Sequence, residues 1–183
     1  MKRPAPVLML ASLFTLAVPA VGFLSFGIVP ALLFFSGYCA GFALWLLAPG
    51  DAPLSVYKTT YIATFALFIV HGIEERVSGF FPTLAQITNV AVPDLGSPAI
   101  ILLLLLSAVA WLGGPFLAAR GSQFGNYLVW TFFASMGVTE LAHFVLPFFT
   151  LDPFHYFPGV ASVFLLAPAA WFGMWLLWRG GRS

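Results

Sequence analysis

Charge is what this sequence has least of. Seven Lys/Arg and six Asp/Glu make up 7% of its 183 residues, where a soluble domain carries roughly a quarter to face water. With a net charge of +1, no field steers a polyanion toward it, which excludes a nucleic-acid binder. Cysteine is scarcer still. Cys39 stands alone in an apolar run, so there is no disulfide framework and no thiolate metal cluster. Internal repeats and low-complexity tracts are absent. Hydrophobic residues fill the space, at 61% of the chain and a mean hydropathy of +1.01. Those values exclude a water-soluble globular domain and a disordered chain, and leave a polytopic membrane protein.

A spanning helix needs about 20 apolar residues, and the uncharged stretches supply them. The chain reads as one integral membrane domain over 1–183, an all-α transmembrane helical bundle. About six spans are expected, near 5–22, 28–48, 56–78, 98–119, 124–149 and 158–178. Segment 79–97, with Pro82, Pro93 and scattered polar residues, reads as an outer loop or lid, with an interfacial stretch as its alternative. Residues 1–20 also have the basic start, apolar centre and small-residue end of a signal peptide; the expectation is a retained first helix. Six spans put Lys2, Arg3, Lys58, Arg120, Arg179 and Arg182 on one side and leave only Arg76 opposite. The positive-inside rule then makes both termini cytoplasmic. Trp111, Trp175 and Trp178 read as members of an interfacial aromatic belt.

Against that background the polar residues stand out. All three histidines and all three glutamates fall in or beside spans. In the third, His71-Gly-Ile-Glu74-Glu75 puts three ionisable side chains on one helix face. In the fifth, Glu140-Leu-Ala-His143 is an i,i+3 pair, again on one face. His155 precedes the sixth. Counted from the inner ends of their spans, both clusters lie about 25 Å up, in the outer third of the membrane. His155 enters from that same side.

A carboxylate near the membrane centre costs on the order of 3 kcal/mol to insert, so these must face each other, water or a cation. Three glutamates balance two divalent metals with a bridging hydroxide, or two protonated histidines with Arg76. Glu-x-x-His is the unit that carboxylate-bridged metal bundles project inward. Imidazole with carboxylate suits Zn, Fe or Mn rather than Ca or Cu(I). The bland alternative is a polar network that ties helices together. Tyr156, a phenol beside the cluster, could orient a ligand or supply a proton. Phe80 and Phe81 read as interfacial, or as a wall of a lipid entry path. Gly72, Gly137 and Ala142 offer close helix approach beside the clusters.

His71-Gly-Ile-Glu74-Glu75, the later His143, and Tyr156-Phe-Pro158-Gly159 together resemble the HXXEE-domain family of small bacterial integral membrane proteins. The likeness covers roughly residues 56–178. It implies a place in the bacterial inner membrane, with His71, Glu74 and Glu75 as the named motif and His143 as the later histidine. Where an asparagine often stands in the family, this chain has Glu140, an added carboxylate that favours metal.

The leading expectation is a membrane-embedded metalloenzyme acting on a lipid-soluble substrate by oxidation or hydrolysis. One or two divalent ions, Fe or Zn, would be held by His71, Glu74, Glu75, Glu140, His143 and His155, with Glu74, Glu75 and Tyr156 as the catalytic candidates. The alternative is a metal-free acid/base isomerase or cyclase of sterol-like or terpenoid molecules, with a glutamic acid as proton donor. A third reading, a metal or proton transporter, needs a polar path to the inner side. The inner half of the spans offers only Lys58, Gln123, Asn126 and Tyr127.

Overall fold

In a computed structural model, which describes residues 3–92, 94, 96–152 and 155–182, the chain is a bundle of helices, with no strand among the described residues. The long helices are α1 (Ala5–Phe26), α2 (Ile28–Leu47), α3 (Leu54–Ser78), α5 (Pro98–Ala119), α6 (Gln123–Val138) and α8 (Val160–Gly180). Six segments are long and apolar enough to cross a membrane, at 5–24, 28–47, 54–78, 100–119, 123–149 and 160–180. The hydropathy count is therefore right, to within a few residues at each end.

Local chemistry explains the breaks. Gly27, at φ 80°, is the single residue between α1 and α2, a left-handed corner that glycine adopts without penalty. Segment 79–97 is not all loop: α4 (Phe80–Thr88) fills its first half. Pro82 lies in the first turn of α4, where a missing N–H breaks no intrahelical bond. Gly79 and Asn89, both left-handed, bound this helix.

The core is α6. Every residue from Gly125 through Gly137 is buried, Asn126, Thr131 and Ser135 included, so this helix is covered all round. It is enclosed by α2, α5 and α8, with α1 packed against α2 and α5 and touching α6 through Thr15 and Tyr127. Glycines set the contact distances. A Cβ at Gly41 of α2 would lie 2.5 Å from Thr131 Cα, and one at Gly173 of α8 only 2.1 Å from Phe133. The outer faces are apolar too, with Leu102, Leu105, Val109 and Phe116 exposed on α5, the reverse of a soluble surface. Trp111 belongs to the core and not to an interfacial belt. It is buried, stacked on Tyr38 and edge-on to Phe68.

At one end of the bundle Arg3 is buried. Its guanidinium donates to Asp51 Oδ1 at 2.6 Å and to the Trp45 carbonyl, and lies 4.7 Å from the Trp45 ring centroid. Arg120 and Arg179 close their helices at this same end.

Candidate metal centre

At the opposite end α3, α8 and the segment after α6 converge. The fifth span does not continue as a regular helix. After Val138 it becomes a 3-10 turn (Thr139–Leu141), one α turn (α7, Ala142–Val145) and a second 3-10 turn (Leu146–Phe149). The irregular stretch carries Glu140 and His143, and Thr139 Oγ1 ties it to the Leu33 carbonyl of α2.

Four side chains meet there. His71 Nε2 lies 3.1 Å from Glu140 Oε2 and 3.6 Å from Glu75 Oε1. His143 Nε2 lies 3.3 Å from the same Glu140 oxygen and 3.4 Å from the same Glu75 oxygen. All four donor atoms fall within 4.8 Å of one another. Both imidazoles are almost fully enclosed, whereas the side chains of Glu75 and Glu140 are 21% and 15% exposed. The open flank is on the carboxylate side.

The far nitrogens of the two imidazoles fix which lone pairs point inward. His143 Nδ1 is 2.8 Å from the Pro158 carbonyl, which only accepts, so Nδ1 carries the proton. His71 Nδ1 is 2.8 Å from Ser162 Oγ, whose own proton goes to the Gly159 carbonyl. That hydroxyl therefore accepts from His71. In the neutral form both rings aim an Nε2 lone pair at one point, the arrangement that outer partners impose on metal-binding histidines. Gly159, at φ 88°, makes this approach feasible: a Cβ there would lie 2.5 Å from His143 Cε1 and 2.9 Å from His71 Cε1. The Phe80 ring, 5.0 Å from that of His143, and Phe157 wall the cluster off on that side.

Glu74 and His155, expected among the ligands, lie elsewhere. Glu74 flanks His71 on the face toward α8 and accepts from the backbone N–H groups of Ala161 (3.0 Å) and Ser162 (2.8 Å). It is an anion on the N-terminus of α8, where the helix dipole favours it. Tyr156 donates to Glu74 rather than reaching the cluster. Partial desolvation and that hydrogen bond push its phenol up to about 12, so at neutral pH it remains a donor. His155 is exposed and bonded to Asp152 three residues earlier. Arg76 is exposed on α3.

The close approach also comes from different glycines. Gly72 has nothing within 4 Å, and Gly137 abuts Trp171 and Met174 of α8. Sequence reasoning missed Ser162 and the Pro158 carbonyl. Ser162 had a readable signal, a hydroxyl in the first turn of the last span, at the depth of the motifs. A backbone carbonyl has none.

Comparison of the chain with protein-family models, with curated proteins and with solved structures finds no match.

Proposed function

We propose that the chain is a membrane-embedded metalloenzyme that holds one divalent ion between His71, Glu75, Glu140 and His143 and acts on a lipid-soluble substrate. The observation that carries this is the spacing of the donors. A tetrahedral ion with ligand bonds of about 2.0–2.1 Å has ligand–ligand edges of about 3.3–3.4 Å. The four nitrogen–oxygen edges here run 3.1, 3.3, 3.4 and 3.6 Å, and the nitrogen–nitrogen and oxygen–oxygen separations lie within 4.8 Å. With neutral imidazoles, two carboxylates cancel the charge of one divalent ion, so the filled site carries no net charge into the membrane. Four converging donors support one ion rather than two. Nitrogen and carboxylate together favour Zn or Fe. Such an ion supplies Lewis acidity or redox chemistry, and the residues supply its position, a dry wall on the Phe80 side and access along the carboxylates.

The HXXEE resemblance agrees, since it assigns His71 and Glu75 to one motif. We place the site toward the outer face of a bacterial cytoplasmic membrane on the distribution of basic residues.

Transport fits less well. Beneath the cluster the core is Phe132, Phe133, Met136 and Leu166, all fully buried. Although Thr64 and Ser135 place hydroxyls there, the inner half of the spans carries no carboxylate or imidazole among the described residues. The metal-free acid/base reading retains one supporting observation, that two imidazolium and two carboxylate groups also sum to zero.

The test is metal content and exchange. Protein purified in detergent and reconstituted with Zn²⁺ or Fe²⁺ should hold about one ion per chain, and fewer than about 0.2 would overturn the proposal. Nitric oxide added to the Fe²⁺ form should give the spectrum of an iron nitrosyl, reporting an exchangeable position for substrate or water. Conversion of a lipid-soluble substrate that survives complete chelation would select the acid/base reading instead.

A further inference from the structure

The wall of the bundle has a gap between α3 and α5. Helix α3 leans on α8, while α5 leans on α6 and α1. Where α3 and α5 do meet, Tyr61 Oη donates to the Trp111 carbonyl at 2.6 Å. That carbonyl is free because Pro115, four residues on, has no N–H to offer it. Beside this tie, with Tyr61 on its wall, the helices part and leave a cavity of about 360 Å³. Ile62, Phe65, Ala66 and Ile69 line it from α3, and Leu112 and Phe116 from α5. The α3 residues recur at helical spacing and form one stripe. The Tyr61 hydroxyl and the Trp111 carbonyl have satisfied each other, so an occupant meets hydrocarbon and aromatic surface.

One lining residue is charged. Lys58 sits at the mouth, exposed, and makes no ion pair among the described residues. It lies at the bundle end that also carries Arg120 and Arg179, whereas the nearest carboxylate on the preceding loop, Asp51, is taken by Arg3. From Lys58 to Ile69 the stripe runs about 16 Å along α3, half of a hydrocarbon core about 30 Å thick. The groove is thus one leaflet deep, with a cation where the headgroups begin.

We propose that this groove is a binding site for an anionic phospholipid, with one acyl chain along the Ile62–Ile69 stripe and the phosphate on Lys58 Nζ. Length, polarity and charge each select part of that ligand. The single-leaflet depth selects an acyl chain, the satisfied polar groups select hydrocarbon, and the unpaired ammonium selects an anionic head. The site is separate from the metal centre. Its stripe lies on a different face of α3 from His71 and Glu75, and its charged mouth at Lys58 is at the other end of the bundle.

Native mass spectrometry of the full-length protein tests it. The protein would be incubated in neutral detergent with equal amounts of phosphatidylglycerol and phosphatidylcholine carrying identical chains. Wild type should retain the anionic lipid about fivefold over the zwitterionic one, as expected for one lysine near a headgroup. Lys58→Ala should bring the two to parity while leaving phosphatidylcholine retention unchanged. Ala66→Phe, at an exposed position that fills the groove without touching the core, should lower retention of both. Inorganic phosphate at the same concentration should displace neither. Equal retention by wild type, a preference that survives Lys58→Ala, no loss with Ala66→Phe, or displacement by phosphate alone would each overturn the proposal. Unchanged thermal unfolding of Lys58→Ala serves as the folding control.

Discussion

Two ionic clusters are set into the two ends of this bundle, and they are built differently. Arg3 and Asp51 form a closed pair: one cation meets one anion, the guanidinium also reaches the Trp45 carbonyl, and its flat face lies on the Trp45 ring. It ties the start of α1 to the α2–α3 loop and has no converging lone pairs to offer a metal. The His/Glu cluster has the opposite character. Both imidazoles are anchored from behind, and their remaining nitrogens share two carboxylate oxygens. A tie between helices needs no such convergence, because each pair could be satisfied separately. Anchored donors that crowd one point are what a bound ion requires.

The largest effect that separates the two clusters should come from the ligands. His71→Ala, Glu140→Ala and His143→Ala should each lower metal content from about one ion per chain to near zero, measured after reconstitution and gel filtration. The double variant His71→Ala/Glu140→Ala should lose little more than either single variant, because the four act as one unit. Gly159→Ala should match them without removing a ligand, since its Cβ would occupy the space of both imidazole edges. Independent, additive losses would show that α3 and α7 carry two unrelated polar features.

Arg3→Ala should do the reverse. Metal content should stay at wild-type level while thermal unfolding reports a loss of about 2–3 kcal/mol. That is less than a fully buried pair costs when one partner is removed, because Asp51 is 24% exposed. A fall in metal content with Arg3→Ala would mean that the ends are coupled and that the contrast between them is false.

How much of this was legible in the chain follows from which interactions are local. Spans follow from hydropathy because the membrane selects on composition and length. His71 with Glu75 and Glu140 with His143 follow from helical spacing, and their common depth from counting along the spans. Glu74 defeats that reasoning: it flanks His71 as closely as Glu75 does, and only the packing of α8 against α3 decides which carboxylate turns inward. His155 needed the path of the segment after Phe149, which no periodicity describes. Trp111 was open to a better reading. It stands about 12 Å inside the end of α5, too deep for a headgroup belt.

An intermediate effect should therefore come from Glu74. It touches no ligand, but it caps the helix turn that presents Ser162 and Pro158 to the two histidines. Glu74→Ala should still bind about one ion at saturation, with affinity lower by about 10–100-fold, the usual range for outer partners of a metal site. Ser162→Ala should fall in the same range and should not add fully to Glu74→Ala. Glu75→Ala, by contrast, should fail to reach stoichiometry at any accessible concentration. If Glu74→Ala and Glu75→Ala behave alike in a competitive chelator titration, Glu74 is a ligand after all and the division of labour between the two glutamates is wrong.

The smallest effect concerns the glycine inside the motif. Gly72 lies beside His71, and proximity alone invites a role for it in close packing. Its surroundings give no support for one: nothing stands within 4 Å of a Cβ built there, and its backbone lies inside the regular helix α3. An alanine fits that conformation and narrows the unfolded ensemble, which is worth about 0.4–1 kcal/mol in favour of folding. Gly72→Ala should leave metal affinity unchanged and raise the unfolding midpoint slightly. The contrast with Gly159→Ala is the sharpest internal control the site offers, because both glycines border the cluster and only one is needed by it. A Gly72→Ala variant that loses metal would show that a neighbour approaches this face of α3, and the packing around His71 would have to be redrawn.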